Sequence, residues 1–365
     1  MILATPGPVE IPLFVREVFL KEAIHHRTPQ FKKILTETLE RWKRLVGLPD
    51  GVFLASSGTG AMEAAVINLV KKGALTINAG KFGERWGKIC KAHSISYREL
   101  KYEWDTPADP DEVVAEIKKG GVDTLFIQIC ESAGGLRHPV EEIARRVKEV
   151  APEVVIVADG ITAVGVEPID VTHLDVVIAG SQKAFMLPPG LAMMGFSQLA
   201  VERIGKGKGF YFNLATEIAK QREGTTAFTP AVQHIIALNE VMKRWEQMGL
   251  ENHYSFTSLR HRGLVAGIEA MGLKLYPKRP APAMVAVRCD RAEEVRKILS
   301  DKYQIKIAGG QDHLKGKIFR INNMGIVTPD RLVYILNSLE LALEELGILK
   351  YRGVGVEAFS EVVFK

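Results

Sequence analysis

The stretch "DVVIAGSQKAFMLPPG" (residues 175–190) decides how this chain is read. Its first part, "DVVIAG", is a short run of small and β-branched apolar residues, as suits a strand buried on both faces. Its second part sets Lys183 just past that strand, ahead of two prolines and a glycine that force a turn. A loop lysine is ordinarily a solvated surface residue. The carboxyl end of a buried strand, however, is where an open α/β sheet keeps its ligand crevice, and an amine held out of water there becomes reactive. This stretch alone leaves both readings open.

Outward from it the same pattern repeats. "GVFLA" (51–55), "ALTIN" (74–78), "DTLFIQIC" (123–130), "VVIVAD" (154–159) and "AMMGFS" (192–197) read as strands. Between them lie amphipathic helical segments such as "TGAMEAAVINLVKKG" and "VEEIARRVKEVAP". Apolar strands separated by helices predict an α/β fold with a mostly parallel sheet covered on both faces. Around 235 the pattern changes to long helices. It then gives strands in "PAMVAVRC", "IKIAGGQ" and "GKIFRINN" and a final long helix from about 328, which predicts a smaller α+β unit. The expected organisation is an N-terminal arm (1–15) outside either core, a large domain (16–250) and a small C-terminal domain (251–365).

Bulk properties narrow the function. A chain of 365 residues is long enough for two domains. Its net charge of +5 is scattered among acids, so no nucleic-acid-binding face is expected. Cys90, Cys130 and Cys289 stand far apart without CxxC spacing. That argues against a disulfide framework or a metal site and suits a reducing, cytoplasmic setting. The opening "MILATPGPVEIP" lacks the basic and apolar regions of a signal peptide. No apolar run reaches the roughly 18–20 residues of a membrane span.

Four further pieces bear on chemistry. "ASSGTGAMEAA" (55–65) follows the first strand and opens a helix. Its small residues and free N–H groups suit an anion such as phosphate, with hydroxyls from Ser57 and Thr59, or simply a well-capped turn. "VADGITAVG" (157–165) puts Asp159 at the end of an apolar strand, where a carboxylate needs a partner or caps a turn. "NAGKFGERWG" (78–87) offers Phe82 either to the core or to a flat ligand. "KIFRINNMG" (317–325) carries Arg320, a surface cation or a bidentate carboxylate clamp. Together they specify one ligand: an anion at a helix start, a ring on Phe82, a cationic ring nitrogen at Asp159 and an electrophile for Lys183. Pyridoxal 5′-phosphate has all four features.

With these residues in view, the chain resembles the class V (subgroup IV) PLP-dependent aminotransferases of fold type I, in particular alanine–glyoxylate, serine–pyruvate and serine–glyoxylate aminotransferases. The likeness runs from "TPGP" (5–8) and "HHRTPQF" (25–31) through "SGTGAMEAA", "NAGKFGERW", "VADGITAVG" and "GSQKAFMLPPG" to "IAGGQDHLKGKIFRINNMG". The resemblance implies that Lys183 carries the cofactor and then shuttles the substrate's Cα proton. It implies that Asp159 holds the ring nitrogen and Phe82 stacks on the ring. Ser57, Gly58, Thr59 and Gln182 would contact the phosphate or its surroundings, and Arg320 would clamp the substrate α-carboxylate. It further implies a homodimer with shared active sites, in which Thr225 or Thr226 of "EGTTAFTP" (223–230) reaches the partner's phosphate. The "TPGP" arm would lie near the substrate entrance.

Two departures touch the pocket. "ESAGG" (131–135) stands where the family often has "ETSTG", so Ala133 replaces a serine and Ser132 is the residue that would compensate. "RINNMG" stands where "RIGHMG" is common, so Asn322 and Asn323 follow the clamp. The expected reaction moves an amino group from a small L-amino acid, alanine or serine, to a 2-oxo acid such as glyoxylate or pyruvate. Aspartate or 2-aminoethylphosphonate transamination, or another class V reaction, is the alternative. The first two would be favoured by a further pocket cation, for which Arg27 is the candidate. A non-catalytic subunit of a complex is the remote reading, disfavoured because Lys183, Asp159 and Arg320 are all present.

Overall fold

A computed structural model describes residues 1–365. The chain runs β1 (Ile2–Ala4), α1 (Leu13–Leu20), α2 (Pro29–Val46), β2 (Asp50–Leu54), α3 (Gly58–Leu69), β3 (Ala74–Asn78), α4 (Gly83–Ala92), β4 (Tyr97–Lys101), α5 (Pro110–Lys118), β5 (Thr124–Gln128), β6 (Cys130–Glu131), β7 (Leu136–Arg137), α6 (Val140–Val150), β8 (Val155–Asp159), β9 (Val176–Gly180), β10 (Ala192–Phe196), α7 (Gln198–Ile204), α8 (Leu214–Arg222) and α9 (Val232–Met248). It continues through α10 (Leu250–Ala270), β11 (Met284–Arg288), α11 (Ala292–Tyr303), β12 (Ile305–Gly309), β13 (Ile318–Asn322), α12 (Pro329–Glu345) and α13 (Val354–Val363).

Seven strands form the larger sheet in the order β2-β10-β9-β8-β5-β3-β4. Neighbours from β9 to β4 pair in parallel, whereas β10 runs antiparallel to both β9 and β2. Six of the seven strands are the runs expected from the sequence. The seventh, β4 ("YRELK"), was not expected. It is an edge strand whose mixed, half-exposed side chains lack an apolar run, as edges commonly do. The run expected over 123–130 stops at Gln128 and resumes as β6, paired only with β7.

Helix α2 shows why the layers stack as they do. Thr28 caps it by accepting from Phe31 N–H at 3.3 Å, Pro29 opens its first turn, and Gly47 closes it at φ +70°. Phe31, Leu35, Leu39, Trp42 and Val46 make one buried stripe. The Trp42 indole N–H donates to Met194 O at 2.9 Å and so ties the helix to β10.

The smaller sheet has the order β1-β12-β13-β11. The arm was expected to lie outside either core, and its first residues do not. Ile2–Ala4 pair in parallel with Ile305–Ile307, and Ala4 is buried in the core beneath that sheet. The apolar "ILA" triplet covers what would be an exposed edge of β12. Helix α10 is one of the long helices expected beyond residue 235, and α13, which was not foreseen, packs against it.

Candidate active site

The parallel strands β5, β8 and β9 end on one side of the sheet, and there the chain forms a cavity of about 210 Å³. Lys183 lies in it two residues beyond Ser181. Only 9% of the side chain is exposed, and its Nζ donates to Pro6 O at 2.5 Å. Burial pushes its amine down to about 8, with Arg320 adding to the fall and Cys130, Asp159 and Glu131 opposing it. An amine lowered to about 8 reaches its neutral, nucleophilic form far more readily near neutral pH than an ordinary lysine does.

Asp159 ends β8 and faces the same cavity. One carboxylate oxygen accepts from Ile161 N–H at 2.9 Å, and no side chain donates to the other. Burial raises it to about 6, opposed by Ile161 N–H, Arg85 and Lys183. A buried carboxylate without a side-chain donor is matched to a ligand that brings a positive N–H.

Helix α3 begins at the rim with Ser57 as N-cap, whose side chain makes no capping bond. A Cβ on Gly58 would come within 2.3 Å of Ile161 Cδ1, so any larger residue there must displace the Ile161 side chain that lines the cavity. Gly58 and Thr59 line the cavity with their unpaired helix-start N–H groups. Gln182 lines it too, and its buried Oε1 has no partner in the chain. Phe82, one residue before α4, presents its ring to the same space. The set fits pyridoxal phosphate: free N–H groups for a dianion, an orphaned amide oxygen, a ring, a lone carboxylate and a buried amine. Ser132 also lines the cavity, whereas the Ala133 N–H donates to Glu131 Oε1 at 2.9 Å.

Four of the expected residues lie outside this cavity. Thr225 and Thr226 do not line this cavity. Thr226 Oγ1 donates to Phe228 O at 2.7 Å in a separate surface niche. Arg320 is buried beside the cavity but has its donors on backbone: Nη1 on Ser132 O at 2.5 Å, and Nε and Nη2 on Gly309 O at 3.1 and 2.7 Å. Arg27 is exposed and away from the cavity. Asn322 bonds both backbone groups of Met324, and Asn323 donates to Thr257 O and Pro282 O, so both amides hold the loop after β13.

Sequence reasoning missed two residues. Arg85 lines the cavity, donates to Thr59 Oγ1 at 2.9 Å and lies over the Phe82 ring at 4.7 Å. Its spacing of three from Phe82 on a helical segment was the available sign. Glu131 is fully buried and accepts from Phe82, Gly83 and Ala133 N–H at 2.8–2.9 Å. Burial pushes it up to about 7 against those three bonds. It follows an apolar strand just as Asp159 does.

Comparison with known proteins places this geometry. The family Aminotransferase class-V matches residues 18–324. An uncharacterised aminotransferase of Helicobacter pylori (strain ATCC 700392 / 26695) is 46% identical over 362 residues, 98% of each chain. An L-aspartate–glyoxylate aminotransferase of Paracoccus denitrificans is 29% identical over 98% of this chain and 94% of its own. The crystal structure of an aspartate aminotransferase of subgroup IV from Thermus thermophilus is 31% identical. It superposes with a TM-score of 0.89, covering 96% of this chain and 100% of that one.

Proposed function

Because this chain belongs to the class-V aminotransferases and is a pyridoxal phosphate-dependent transaminase, we propose that its amino donor is a small L-amino acid, alanine or serine, and its acceptor a 2-oxo acid such as glyoxylate or pyruvate. One observation carries the donor assignment. Arg85 is the cavity's only cation besides Lys183, and it is engaged with Thr59 at the anion-binding helix start. No free cation remains for a side-chain carboxylate.

The residues divide the work as follows. Lys183 would hold the cofactor through Nζ, Asp159 its ring nitrogen and Phe82 one ring face. Ser57, Gly58, Thr59 and Gln182 would hold its phosphate end. Bound there, the cofactor supplies the electron sink and carries the amino group between half-reactions. With its amine lowered to about 8, Lys183 Nζ would take the proton from the donor Cα and deliver it to the cofactor's C4′, as a base poised near working pH can. Arg320 receives the α-carboxylate by exchanging at least one of its backbone bonds for it. The chain works as a cytoplasmic homodimer in which Thr225 or Thr226 completes the partner's site. In support, both threonines lie away from their own chain's cavity, and no helix is long and apolar enough to cross a membrane.

The test is an absorbance titration of the cofactor-loaded protein with L-alanine, L-serine and L-aspartate separately. Bleaching to the pyridoxamine form by alanine or serine, at higher kcat/KM than aspartate, is expected. Preference for aspartate is the second reading, favoured by Arg85 itself if that guanidinium turns to the substrate. Arg85→Gln would then lose aspartate turnover selectively.

A further inference from the structure

A second cavity, of about 400 Å³, lies behind the lysine loop and shares no lining residue with the first. Met186 forms part of its wall, and the Met186 N–H donates to Lys183 O at 2.9 Å. Eight of its fifteen lining residues are hydrophobic, among them Phe14, Trp245 and Phe256, and none is acidic. Its size is that of a small-molecule site.

Its charges are unbalanced. Arg260 is only 4% exposed and has no carboxylate partner. Its Nη1 donates to Val327 O at 2.6 Å and its Nη2 to Asn323 O at 3.1 Å and Thr257 Oγ1 at 3.3 Å, while its Nε is buried without any acceptor. Its guanidinium lies 4.9 Å from the Phe256 ring centroid. A buried guanidinium balanced only by neutral dipoles is costly unless an anion reaches it. Arg244, on the same cavity, lies 4.1 Å from the Phe14 ring centroid and forms no ion pair. The wall also includes Thr328, the N-cap of α12, whose side chain makes no capping bond. Asp330, in the first turn, already serves that helix start through Thr328 and the first backbone N–H groups, so the two guanidiniums set the sign of the ligand charge.

We propose that this cavity binds an organic monocarboxylate with an apolar body. Its carboxylate is held by Arg244 and Arg260, and its hydrocarbon lies against Trp245 and Phe256. A bare inorganic anion would leave the apolar majority of the wall uncovered. A neutral hydrocarbon would leave both guanidiniums unpaired.

Calorimetric titration of the cofactor-loaded protein with 4-phenylbutyrate, beside its neutral counterpart 4-phenylbutanol, tests this. Saturable binding of the carboxylate at one site per chain is expected, with the alcohol about tenfold weaker or worse. Arg244→Gln should weaken the carboxylate about tenfold, and Arg260→Met should abolish its binding. Arg320→Ala should leave it intact, because the active-site clamp is a different residue. If Arg260→Met does not fold, Arg244→Gln decides, since Arg244 is exposed and makes no hydrogen bond. Equal binding of the alcohol, no saturable binding at millimolar probe, indifference to Arg244→Gln, or loss in Arg320→Ala would each overturn the assignment.

Discussion

Lys183 Nζ donates to the backbone carbonyl of Pro6 at 2.5 Å, so the reactive amine is held by the far N-terminal end of its own chain. A carbonyl accepts from either the charged or the neutral amine, and burial decides between them by lowering the amine to about 8. Coupling of the cofactor-free protein to pyridoxal phosphate needs the neutral form. Its rate, followed by absorbance, should therefore rise with pH through a midpoint near 8. A midpoint at the ordinary lysine value of 10.5 would show that the amine is not desolvated.

Gly7 keeps this contact possible. It has φ +108°, and a Cβ there would come 2.5 Å from Lys183 Nζ. Gly7→Ala must strain the backbone or displace the amine. Transamination should fall roughly tenfold to a hundredfold in kcat/KM, the scale of a misplaced reacting group, while cofactor remains bound. Unchanged kinetics would show that the arm is free to move away.

Asp159→Asn should separate activity from stability. Loss of the ring-nitrogen partner should cut transamination about a hundredfold, as for removal of one preorganised electrostatic partner. The cofactor-free chain should respond the other way. The folded carboxyl is raised from 3.8 to about 6, so the folded state disfavours its charge. That penalty is absent below 3.8, grows between the two values and is complete above 6. The variant should thus be more stable by up to about 3 kcal/mol above pH 6, with the gain vanishing towards pH 4. Denaturant melts across that range check it, and a variant less stable at pH 8 would reject the argument.

Glu131→Gln tests the scaffold under Phe82. The carboxylate accepts three backbone N–H bonds with its two oxygens. An amide keeps one oxygen and turns an NH₂ group towards at least one of the donors. The lost N–H bonds cost about 1–3 kcal/mol, an effect that removing the disfavoured charge offsets above about pH 7, so the loss should show most clearly below pH 7, with weaker cofactor binding as the Phe82 turn loosens. Denaturation midpoints and a cofactor titration measure both, and full stability in the variant would mean that Glu131 is protonated and replaceable.

The shared-site proposal has a mixing test. A Lys183→Ala chain and a Thr225→Ala, Thr226→Ala chain should each be nearly inactive. Mixed and re-equilibrated, they should regain activity, because one site of each hybrid dimer combines an intact lysine with intact threonines. No recovery in a mixture shown by native mass spectrometry to contain hybrids would place those threonines outside the partner's site.

Much of this was legible in the sequence because backbone position and apolar patterning are local. Ser57, Gly58, Thr59, Phe82, Ser132, Asp159, Gln182 and Lys183 each follow a strand or open a helix, and all eight line one cavity. What stayed hidden depends on partners far along the chain. Arg85 reads as an ordinary helix cation until Thr59, 26 positions away, is seen beside it. Arg320 was expected to clamp the substrate α-carboxylate, yet its donors meet carbonyls on Ser132 and Gly309 that no spacing announces. Glu131 ends an apolar run as Asp159 does, but the Phe82 and Gly83 N–H groups that hold it lie 49 and 48 positions away.

The first residues of the chain act as a measuring rod. Ala4 is fixed opposite Ile307, and two residues later Pro6 must deliver its carbonyl to Lys183. An extended residue advances about 3.3 Å, more than a hydrogen bond tolerates. Substitutions that respect the backbone can therefore be absorbed between residues 5 and 8, whereas losing or gaining a single residue there cannot. The segment's length, more than its composition, is what selection on the active site would hold constant.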